Sequence, residues 1–292
     1  MLALYGIVAA MRSTKFLGVA ILAAAIFTVL IWYSVLRESR GDLTVSFLAI
    51  GQGDSIYNES PSGNKVLIDG GPDSAVVRRL SEVMPWYERS IDLVIGTHPD
   101  ADHIGGLIDV FSRYKVATVM QSSVRGNTKT WDAFEKGAKS EGARIITAER
   151  GQVIDIGGGA YLEVLSPDRA VPNLETNTGC VVTRLVYGAT SFILPCDAPQ
   201  AIEQYLVEFD GARLKSDVLK PGHHGSKTSS SPLFVGFVDP KYAVFSRGCD
   251  NTYGFPHKET VATLKEFTVP FEDTCVQGTV TFVSDGTSVH LK

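Results

Sequence analysis

The segment Thr97 to His103 (THPDADH) constrains this chain most, because it places two histidines and two aspartates within six residues. It continues the apolar stretch 91–98, which is typical of a buried strand. Successive helical side chains point about 100° apart, so only a loop could direct all four groups to one point. The alternative, a cap on the next helix, would need only one aspartate and would leave the histidines unexplained. The ligands that favour a borderline or hard divalent cation are therefore His98, Asp100, Asp102 and His103.

Two further strand ends carry polar groups. Asp197 ends the apolar stretch 190–197, where an aspartate alone would be interpreted as a helix N-cap. His223 and His224 follow the stretch beginning at 216 and are flanked by glycines. Paired histidines in such an exposed, flexible loop are rarely core residues.

Apolar strands alternate with helices through the remaining chain, which predicts two sheets packed face to face with helices outside. The first two strands are expected to form a hairpin-like pair. The predicted strands are 43–50, 64–71, 91–98, 116–120, 161–167, 180–188, 190–197, 216–224, 242–246, 268–274 and 278–284, and the predicted helices are 74–83, 105–114, 130–141, 198–209, 232–237 and 259–267.

The run from Phe16 to Leu36 contains no charged residue. At about 1.5 Å per residue it could span a ~30 Å hydrocarbon core, so we expect a single-pass anchor in residues 1–41 and a separate domain in 42–292. A cleaved signal peptide is the alternative, but the run is longer than a usual h-region and lacks a small-x-small cleavage site. A buried core helix is disfavoured by the flanking charges. The slight excess of positive charge before the run predicts an extracytoplasmic domain on the cytoplasmic membrane.

Charge excludes a generally basic nucleic-acid-binding protein. The chain has a net charge of −5, and residues 1–41 contribute four cations and one anion, so the remainder carries −8. A polyanionic substrate must then be held by a local patch or by metal ions. The local cations expected at one rim are Lys220, Lys227, Arg247 and Lys258.

The metal-loop pattern, the strand-end Asp197 and the histidine loop resemble the metallo-β-lactamase superfamily. Five segments resemble more narrowly the C-terminal domain of ComEC/Rec2 competence proteins, and the resemblance covers residues 43–290. It implies an α/β fold, a four-layer αββα sandwich, which the N-terminal transmembrane helix expected from the run at 16–36 would precede. The segments are FLAIGQGDS (47–55), VLIDGG (66–71), THPDADHIGGL (97–107), LKPGHHGSKTSSS (219–231) and NTYGFPH (251–257).

The resemblance also implies a pair of metal ions. His98 and Asp100 would hold one ion, and Asp102, His103 and one of the two loop histidines would hold the other. Asp197 would bridge them. For the catalytic set we take Asp102, Asp197 and His223, and for the metal set His98, Asp100, Asp102, His103, Asp197 and His224.

This sequence departs from the superfamily pattern at three positions. Asp100 stands where most members have histidine, and Cys196 replaces the usual glycine before the bridging aspartate. No histidine lies between His103 and His223, although Asn177 lies near the expected place. Because oxygen ligands favour Mn²⁺ over Zn²⁺, we expect two divalent ions, Mn or Zn, with Mn favoured.

The function implied is that of a membrane-anchored phosphodiesterase or nuclease acting on DNA, such as single-stranded DNA, or on another phosphodiester. The segment after the histidines could address an anion, with Ser231 and Pro232 opening a helix. A flexible serine linker is the alternative. The substrate-binding residues expected are Ser226, Lys227, Thr228, Asn177 and His257, and His257 could equally be a helix-start residue.

Two other functions stay open. The superfamily fold hosts many reactions, so a hydrolase of a small ester, lactone or thioester is an alternative. A non-catalytic module for DNA uptake or envelope assembly is the other. The multi-span region of full ComEC proteins has no counterpart in this sequence, so a DNA-uptake role would need a separate multi-span channel protein as partner.

Architectural residues are predicted beneath the site. Asp54 and Asp69 are expected to bond loop amides, and His290 is expected at the surface. Cys249 and Cys275 follow strands expected to be adjacent and parallel, so they could form a disulfide. A second disulfide between Cys180 and Cys196 is disfavoured, because directly cross-strand bridges are strained.

Overall fold

A computed structural model describes residues 17–33 and 41–292. The chain divides into two compact units, Met1–Arg40 and Gly41–Lys292. In the first unit, helix α1 covers 17–33. The expected span 16–36 extends at both ends into residues outside the described part. Within the described ranges, no helix is both long and apolar enough to cross a membrane.

The second unit contains fifteen strands and eight helices. The strands are β1 (Leu43–Phe47), β2 (Ile56–Glu59), β3 (Lys65–Ile68), β4 (Ser90–Gly96), β5 (Lys115–Gln121), β6 (Arg144–Thr147), β7 (Val153–Gly157), β8 (Ala160–Ser166), β9 (Val182–Tyr187), β10 (Thr190–Leu194), β11 (Val218–Leu219), β12 (Tyr242–Phe245), β13 (Phe271–Asp273), β14 (Val280–Ser284) and β15 (Val289–Leu291). The helices are α2 (Ala75–Val83), α3 (Ala101–Ile104), α4 (Leu107–Arg113), α5 (Lys129–Ser140), α6 (Gln200–Asp210), α7 (Pro232–Val238), α8 (Lys258–Glu266) and α9 (Thr274–Gln277).

Two mixed sheets carry these strands. The first has eight strands in the order β15-β14-β1-β2-β3-β4-β5-β6, antiparallel as far as β3 and parallel from β3 to β6. The second has seven strands in the order β13-β12-β11-β10-β9-β8-β7, parallel from β13 to β10 and antiparallel beyond. Each sheet therefore joins a parallel half to an antiparallel half.

Three apolar clusters hold the layers together. The central cluster joins the inner faces of the two sheets, and there the rings of Phe47 and Phe192 pack on Phe282 with centroids 6.3 and 6.2 Å away. A second cluster packs α2, α4 and α5 on the first sheet, and a third packs α6, α7 and α8 on the second. Burial of these apolar faces is the dominant stabilising term. Two sheets flanked by helices, as expected for an αββα sandwich, are confirmed.

Several sequence predictions of elements were wrong. Ile56–Glu59 forms a strand between the first two predicted strands, so these do not pair with each other. The predicted strand 216–224 is only two residues long, and a 3₁₀ turn covers His223–Gly225. The predicted helix 105–114 begins earlier and is broken at Gly105 and Gly106, where added side chains would collide with the loop after β3. The strands β6, β7 and β15 were not predicted.

Candidate metal centre

The candidate ligands lie in loops at the ends of strands from both sheets. The loop after β4 carries His98 and Asp100, and the one-turn helix α3 that follows it carries Asp102 and His103, so the expectation that a loop holds all four was wrong for the last two. The loop after β10 carries Asp197, and the turn after β11 carries His223 and His224. Both β4 and β11 have parallel neighbours, and ligand sites in parallel sheets lie outside the carboxyl ends of the strands. The topology therefore brings together groups that are more than a hundred residues apart.

The buried centre of the cluster consists of His98, His103 and Asp197. These residues are 1%, 0% and 3% exposed, and each offers a ligand atom within 4.8 Å of the other two. His103 Nε2 lies 3.3 Å from Asp197 Oδ2, and the His98 and His103 rings have centroids 4.0 Å apart. The arrangement can present two imidazoles and one carboxylate to a single cation.

A second group shares His103 with the first and adds Asp102 and His224, again within 4.8 Å. His224 Nε2 lies 3.4 Å from Asp102 Oδ2 and 3.3 Å from Asp197 Oδ2. Because Asp197 lies next to both groups, its position is that of a carboxylate shared between two cation sites.

Two candidate residues lie nearer the solvent. His223 Nε2 is 3.6 Å from Asp197 Oδ2, and its side chain is 28% exposed. Asp100 Oδ2 is 3.7 Å from His98 Nε2, and its side chain is 42% exposed. Thr176 donates a hydrogen bond to Asp100 at 3.3 Å, which brings the loop containing Asn177 against this side of the cluster. Asn177 Oδ1 is buried and has no hydrogen-bond partner among the described residues.

Unpaired buried atoms show that the donor set fits metal ions. In the described part of the chain, Nε2 of His98, His103 and His224 and Oδ1 of Asp197 are buried without a hydrogen-bond partner. Leaving a buried polar atom unpaired costs about 1–3 kcal/mol, and native folds largely avoid it. Four such atoms in one cluster of nitrogen and oxygen donors are what a divalent cation would satisfy.

The opposite nitrogen of each buried histidine is held by the protein. His103 Nδ1 lies 2.7 Å from Asp69 Oδ2, His224 Nδ1 lies 3.0 Å from the carbonyl oxygen of Ser246, and His98 Nδ1 lies 3.0 Å from Thr97 Oγ1. Such contacts fix ring orientation and leave Nε2 facing the ligand. All three Nε2 atoms therefore face the cluster.

Asp69 also fixes the start of the segment 97–103, which carries the first four candidate ligands. It accepts hydrogen bonds from the Thr97 amide at 2.8 Å and the Thr97 hydroxyl at 2.7 Å. The expectation that Asp69 bonds a loop amide is confirmed.

Asp54 and Lys220 form a buried ion pair that the sequence did not predict. Lys220 Nζ contacts Asp54 Oδ2, and it also lies 3.6 Å from Asp197 Oδ1. Lys220 is fully buried, so its expected position at an exposed rim was wrong. The Asp54 carboxylate lies against Lys220 and His224 Nδ1, at 3.2 Å from the latter, rather than bonding loop amides as expected. The sequence feature that could have indicated this buried position is a lysine directly after a buried strand.

The charges of the cluster shift its pKa values in opposite directions. Burial disfavours the imidazolium form, but the nearby carboxylates outweigh it and raise the pKa of His103 and of His224 well above the usual range. Burial and the adjacent His103 lower the pKa of His98 to about 3. Burial would raise the pKa of Asp197, yet His224, His103 and Lys220 hold it well below its usual range. Cations entering this cluster must therefore displace protons from His103 and His224.

The motif glycines allow neighbouring loops to approach closely. A Cβ at Gly53 would collide with the carbonyl oxygen of Asp102, the same oxygen that accepts the Asp54 amide at 3.2 Å. A Cβ at Gly70 would lie 2.7 Å from the Leu107 amide nitrogen. The helix α3, which bears Asp102 and His103, and the segment after it are thus packed backbone to backbone on the loops after β1 and β3.

The expected substrate-binding residues lie beside the histidine turn. Ser226 Oγ and Thr228 Oγ1 are 2.9 Å apart and bond each other. Lys227 is exposed, and its amide donates to His257 Nδ1 at 3.0 Å. His257 is also the N-cap residue of α8, which agrees with its interpretation as a helix-start residue.

The start of α7 is already occupied by a carboxylate. Ser231 caps the helix and Pro232 is its first residue, as predicted. The amides of Ser230 and Ser231 both donate to Glu203, the latter at 2.8 Å. Glu203 is fully buried, and burial raises its pKa to about 7. This protein carboxylate takes the amides that were expected to address a substrate anion.

Both cysteine pairs form disulfides. Cys249 and Cys275 are joined after the parallel strands β12 and β13, as predicted. Cys180 and Cys196 are also joined, with Cα atoms 6.6 Å apart, so the expectation for this pair was wrong. The last paired residues of β9 and β10 are Thr183 and Leu194, so both cysteines lie beyond the ladder and are not directly cross-strand.

Two further residues named in the sequence analysis, Arg247 and His290, are also placed. Arg247 is paired with Asp273 at 2.6 Å, so its charge is largely neutralised. His290 is exposed, as predicted, and its ring bonds Ser288 Oγ at 2.9 Å.

Comparisons with known proteins agree with this geometry. The sequence profile of the metallo-beta-lactamase superfamily matches residues 50–248. The chain is 30% identical over 267 residues to ComE operon protein 3 of Bacillus subtilis, covering 84% of this chain and 33% of that protein. It is 28% identical over 259 residues to Recombination protein 2 of Haemophilus influenzae, covering 87% of this chain and 30% of that protein. The chain thus spans about a third of the length of these relatives.

A solved structure with a similar fold is CmlA, a diiron beta-hydroxylase from Streptomyces venezuelae. The TM-score is 0.52 at 13% identity, over 79% of this chain and 52% of that chain. This likeness concerns the fold alone. The matched profile, the sandwich of two sheets and the histidine-aspartate cluster at their strand ends together establish that this chain belongs to the metallo-beta-lactamase superfamily.

Proposed function

We propose that this chain is a metal-dependent phosphodiesterase that uses two divalent ions to hydrolyse DNA, in particular single-stranded DNA, or another phosphodiester. The observation that carries the proposal is the convergence of unpaired buried donor atoms on Asp197, in two groups that share His103. The similarity to competence proteins supports a nucleic-acid substrate.

One ion would be held by His98, Asp100 and Asp197, with Asn177 as a further oxygen donor. The other would be held by Asp102, His103, His224 and Asp197. His224 is favoured over His223 because its Nε2 is buried and unpaired, whereas His223 is partly exposed. When bound, such ions would polarise a phosphoryl oxygen and lower the pKa of a nearby water. Because aspartates supply much of the donor set, Mn²⁺ is favoured over Zn²⁺.

Two side chains of the cluster can handle protons. Burial lowers the pKa of His223, so its imidazole is neutral near pH 7 and can exchange a proton with a leaving-group oxygen at Nε2. Burial would raise the pKa of Asp102, but the close approach of the His224 and His103 imidazoles lowers it to about 2. Asp102 therefore stays ionised and can accept a hydrogen bond from an attacking water.

We further propose that residues 16–36 anchor the chain in the cytoplasmic membrane, with the hydrolase domain outside the cytoplasm and a separate multi-span protein as channel partner. The two disulfides support this placement, since disulfides persist in oxidising compartments. The proposal is tested by treating intact spheroplasts with a membrane-impermeant protease, or by labelling them with a membrane-impermeant thiol reagent. Complete protection of the domain, or free thiols at all four cysteines, would contradict it.

The function is tested by incubating the full chain with Mn²⁺ or Zn²⁺ at equal concentration and three substrates. These are a single-stranded oligonucleotide, bis-p-nitrophenyl phosphate and a lactone. We expect both phosphodiesters to be hydrolysed, faster with Mn²⁺, and we expect EDTA to abolish the activity. Faster turnover of the lactone would instead assign the chain to the small-ester hydrolases. Failure to hydrolyse any substrate with either metal would support a non-catalytic binding module.

A further inference from the structure

A groove on the outer face of the helix layer carries three arginines. It has a volume of about 870 Å³ and is lined by residues of α2, the segment before β4 and the end of α4. The arginines are Arg78, Arg89 and Arg113, all of them exposed. Ligand pockets of roughly 300–1,000 Å³ accommodate molecules the size of a nucleotide or larger. The groove is thus larger than a single phosphate group requires.

The positive charge of the groove is not neutralised by the protein. Across residues 17–33 and 41–292, none of the three guanidinium groups makes an ion pair, although the neighbouring Arg79 pairs with Glu82 at 3.0 Å. The lining includes one carboxylate, Asp73, and this already accepts the Ala75 amide at 2.8 Å. Arg89 does donate a hydrogen bond to the carbonyl oxygen of Glu88 at 2.7 Å, which leaves its charge in place. In a domain with a net charge of −8, a concave site with three arginines that make no ion pair in the described part of the chain is unusual.

The wall of the groove also includes Tyr114. This phenol is nearly buried and packs in the apolar cluster beneath the helices. The groove thus has one core residue in its wall beside the exposed arginines.

One end of the groove lies next to the residues that follow the segment 97–103. The Gly106 amide donates to the carbonyl oxygen of Gly71 at 2.8 Å, and Gly106 packs so closely on Asp73 that a Cβ there would collide with the Asp73 carbonyl. Gly106 is three residues beyond His103. The backbone at this end of the groove is therefore packed against the segment that follows His103.

We propose that this arginine groove binds the phosphate backbone of a single-stranded nucleic acid, as a contact site separate from the metal centre. The inference rests on the proposed phosphodiester substrate and adds where a long substrate is held. Arginine forms bidentate, charge-assisted hydrogen bonds with phosphate oxygens, and three guanidinium groups on three different elements suit successive phosphates better than one headgroup. Short phosphodiesters would not need the groove.

The test compares the full chain with the triple variant Arg78→Gln, Arg89→Gln and Arg113→Gln. Binding of a fluorescent single-stranded 20-mer is measured by anisotropy in EDTA, which prevents cleavage, between 50 and 200 mM salt. We expect affinity at 50 mM salt to fall at least tenfold. The slope of log affinity against log salt should become smaller by about 2, because each phosphate contact on a single strand contributes about 0.7.

A matched control removes three exposed lysines from elsewhere: Lys136→Gln, Lys265→Gln and Lys292→Gln. Its affinity should change less than threefold, although its net charge equals that of the arginine variant. The single variant Arg78→Glu should weaken binding in the same direction if the triple variant is poorly folded. Hydrolysis of bis-p-nitrophenyl phosphate should be unchanged in every variant.

Three results would overturn the proposal. One is unchanged oligonucleotide binding in the arginine variants, and another is an equal loss in the lysine control, which would show an effect of overall charge. The third is that the arginine variants lose binding to phosphatidylglycerol vesicles but not to the oligonucleotide. That result would assign the groove to a membrane surface. Absence of hydrolysis by the unmodified chain would instead contradict the proposed function, while leaving the binding comparison valid.

Discussion

Asp69 Oδ2 lies 2.7 Å from His103 Nδ1, and the same carboxylate accepts the Thr97 amide. One buried aspartate thus fixes both the ring of a candidate ligand and the backbone of the loop that carries it. Its own backbone has a φ of 58°, in the left-handed region that favours glycine, so the loop after β3 accepts a strained residue in order to place this carboxylate.

Asp69→Asn should weaken metal binding by about 10- to 100-fold while the fold is retained. The reason is that the neutral amide of asparagine would hold the His103 ring less strongly than the charged carboxylate of Asp69 does. Competition with a chromogenic chelator measures the affinity, and circular dichroism checks the fold. Asp132→Asn, at an exposed position on α5, is the matched control and should bind metal like the unmodified chain. Equal affinities in both variants would show that Asp69 supports the loop only.

Asp197→Ala should lower phosphodiester hydrolysis more than tenfold, a loss of at least ~1.4 kcal/mol in transition-state stabilisation. The reason is that Asp197 lies against both candidate metal groups. Metal content per chain, measured by mass spectrometry after dialysis, should fall as well. Retention of more than a tenth of the activity would rule out the shared-ligand role.

Lys227→Ala should raise KM for phosphodiesters several-fold and leave a lactone nearly unaffected. The side chain is exposed beside the cluster, while its amide bond to His257 is retained in the variant. Steady-state kinetics with both substrates measure the difference, and Lys136→Ala serves as a distant control. If both substrates are affected equally, Lys227 stabilises the turn rather than contacting the anion.

Glu203 should make the domain less stable as pH rises from about 5 to 8. Its pKa is about 7 in the folded chain against an ordinary value of 4.5, so in this window the folded state retains a proton that the unfolded state has released. The contribution of Glu203 to the free energy of unfolding is therefore largest at the low end of this pH range. It decreases by about 2–3 kcal/mol as the pH rises to 8.

Urea unfolding of the unmodified chain and of Glu203→Gln at pH 5 and pH 8 measures this effect. Because other groups titrate identically in both proteins, the difference between them isolates Glu203. We expect that difference to change by about 2–3 kcal/mol between the two pH values. Parallel pH profiles would show that the carboxyl is ionised throughout, stabilised by the Ser230 and Ser231 amides.

The layered fold and the candidate ligand residues could be predicted from the sequence, because the patterns that indicate them lie within short segments of the chain. The loop at 98–103 carries its donors next to a buried strand, and the later strand ends repeat the pattern. Lys220 could not be placed in the same way, because a lysine is buried only where tertiary structure supplies carboxylates such as Asp54. The Cys180–Cys196 bridge depends on where the β9–β10 ladder ends. Residues 56–59 lack clear alternation, so β2 was missed.

The pairing of β1 with β14 has a consequence for synthesis of the chain on the ribosome. Leu43 is opposite Ser284, so the first strand of the domain meets one of its two neighbours only after the segment 280–284 has been made. Until then, one edge of β1 offers unpaired amides and carbonyls to other chains. A nascent chain that stalls before residue 280 would therefore expose an edge prone to aggregation.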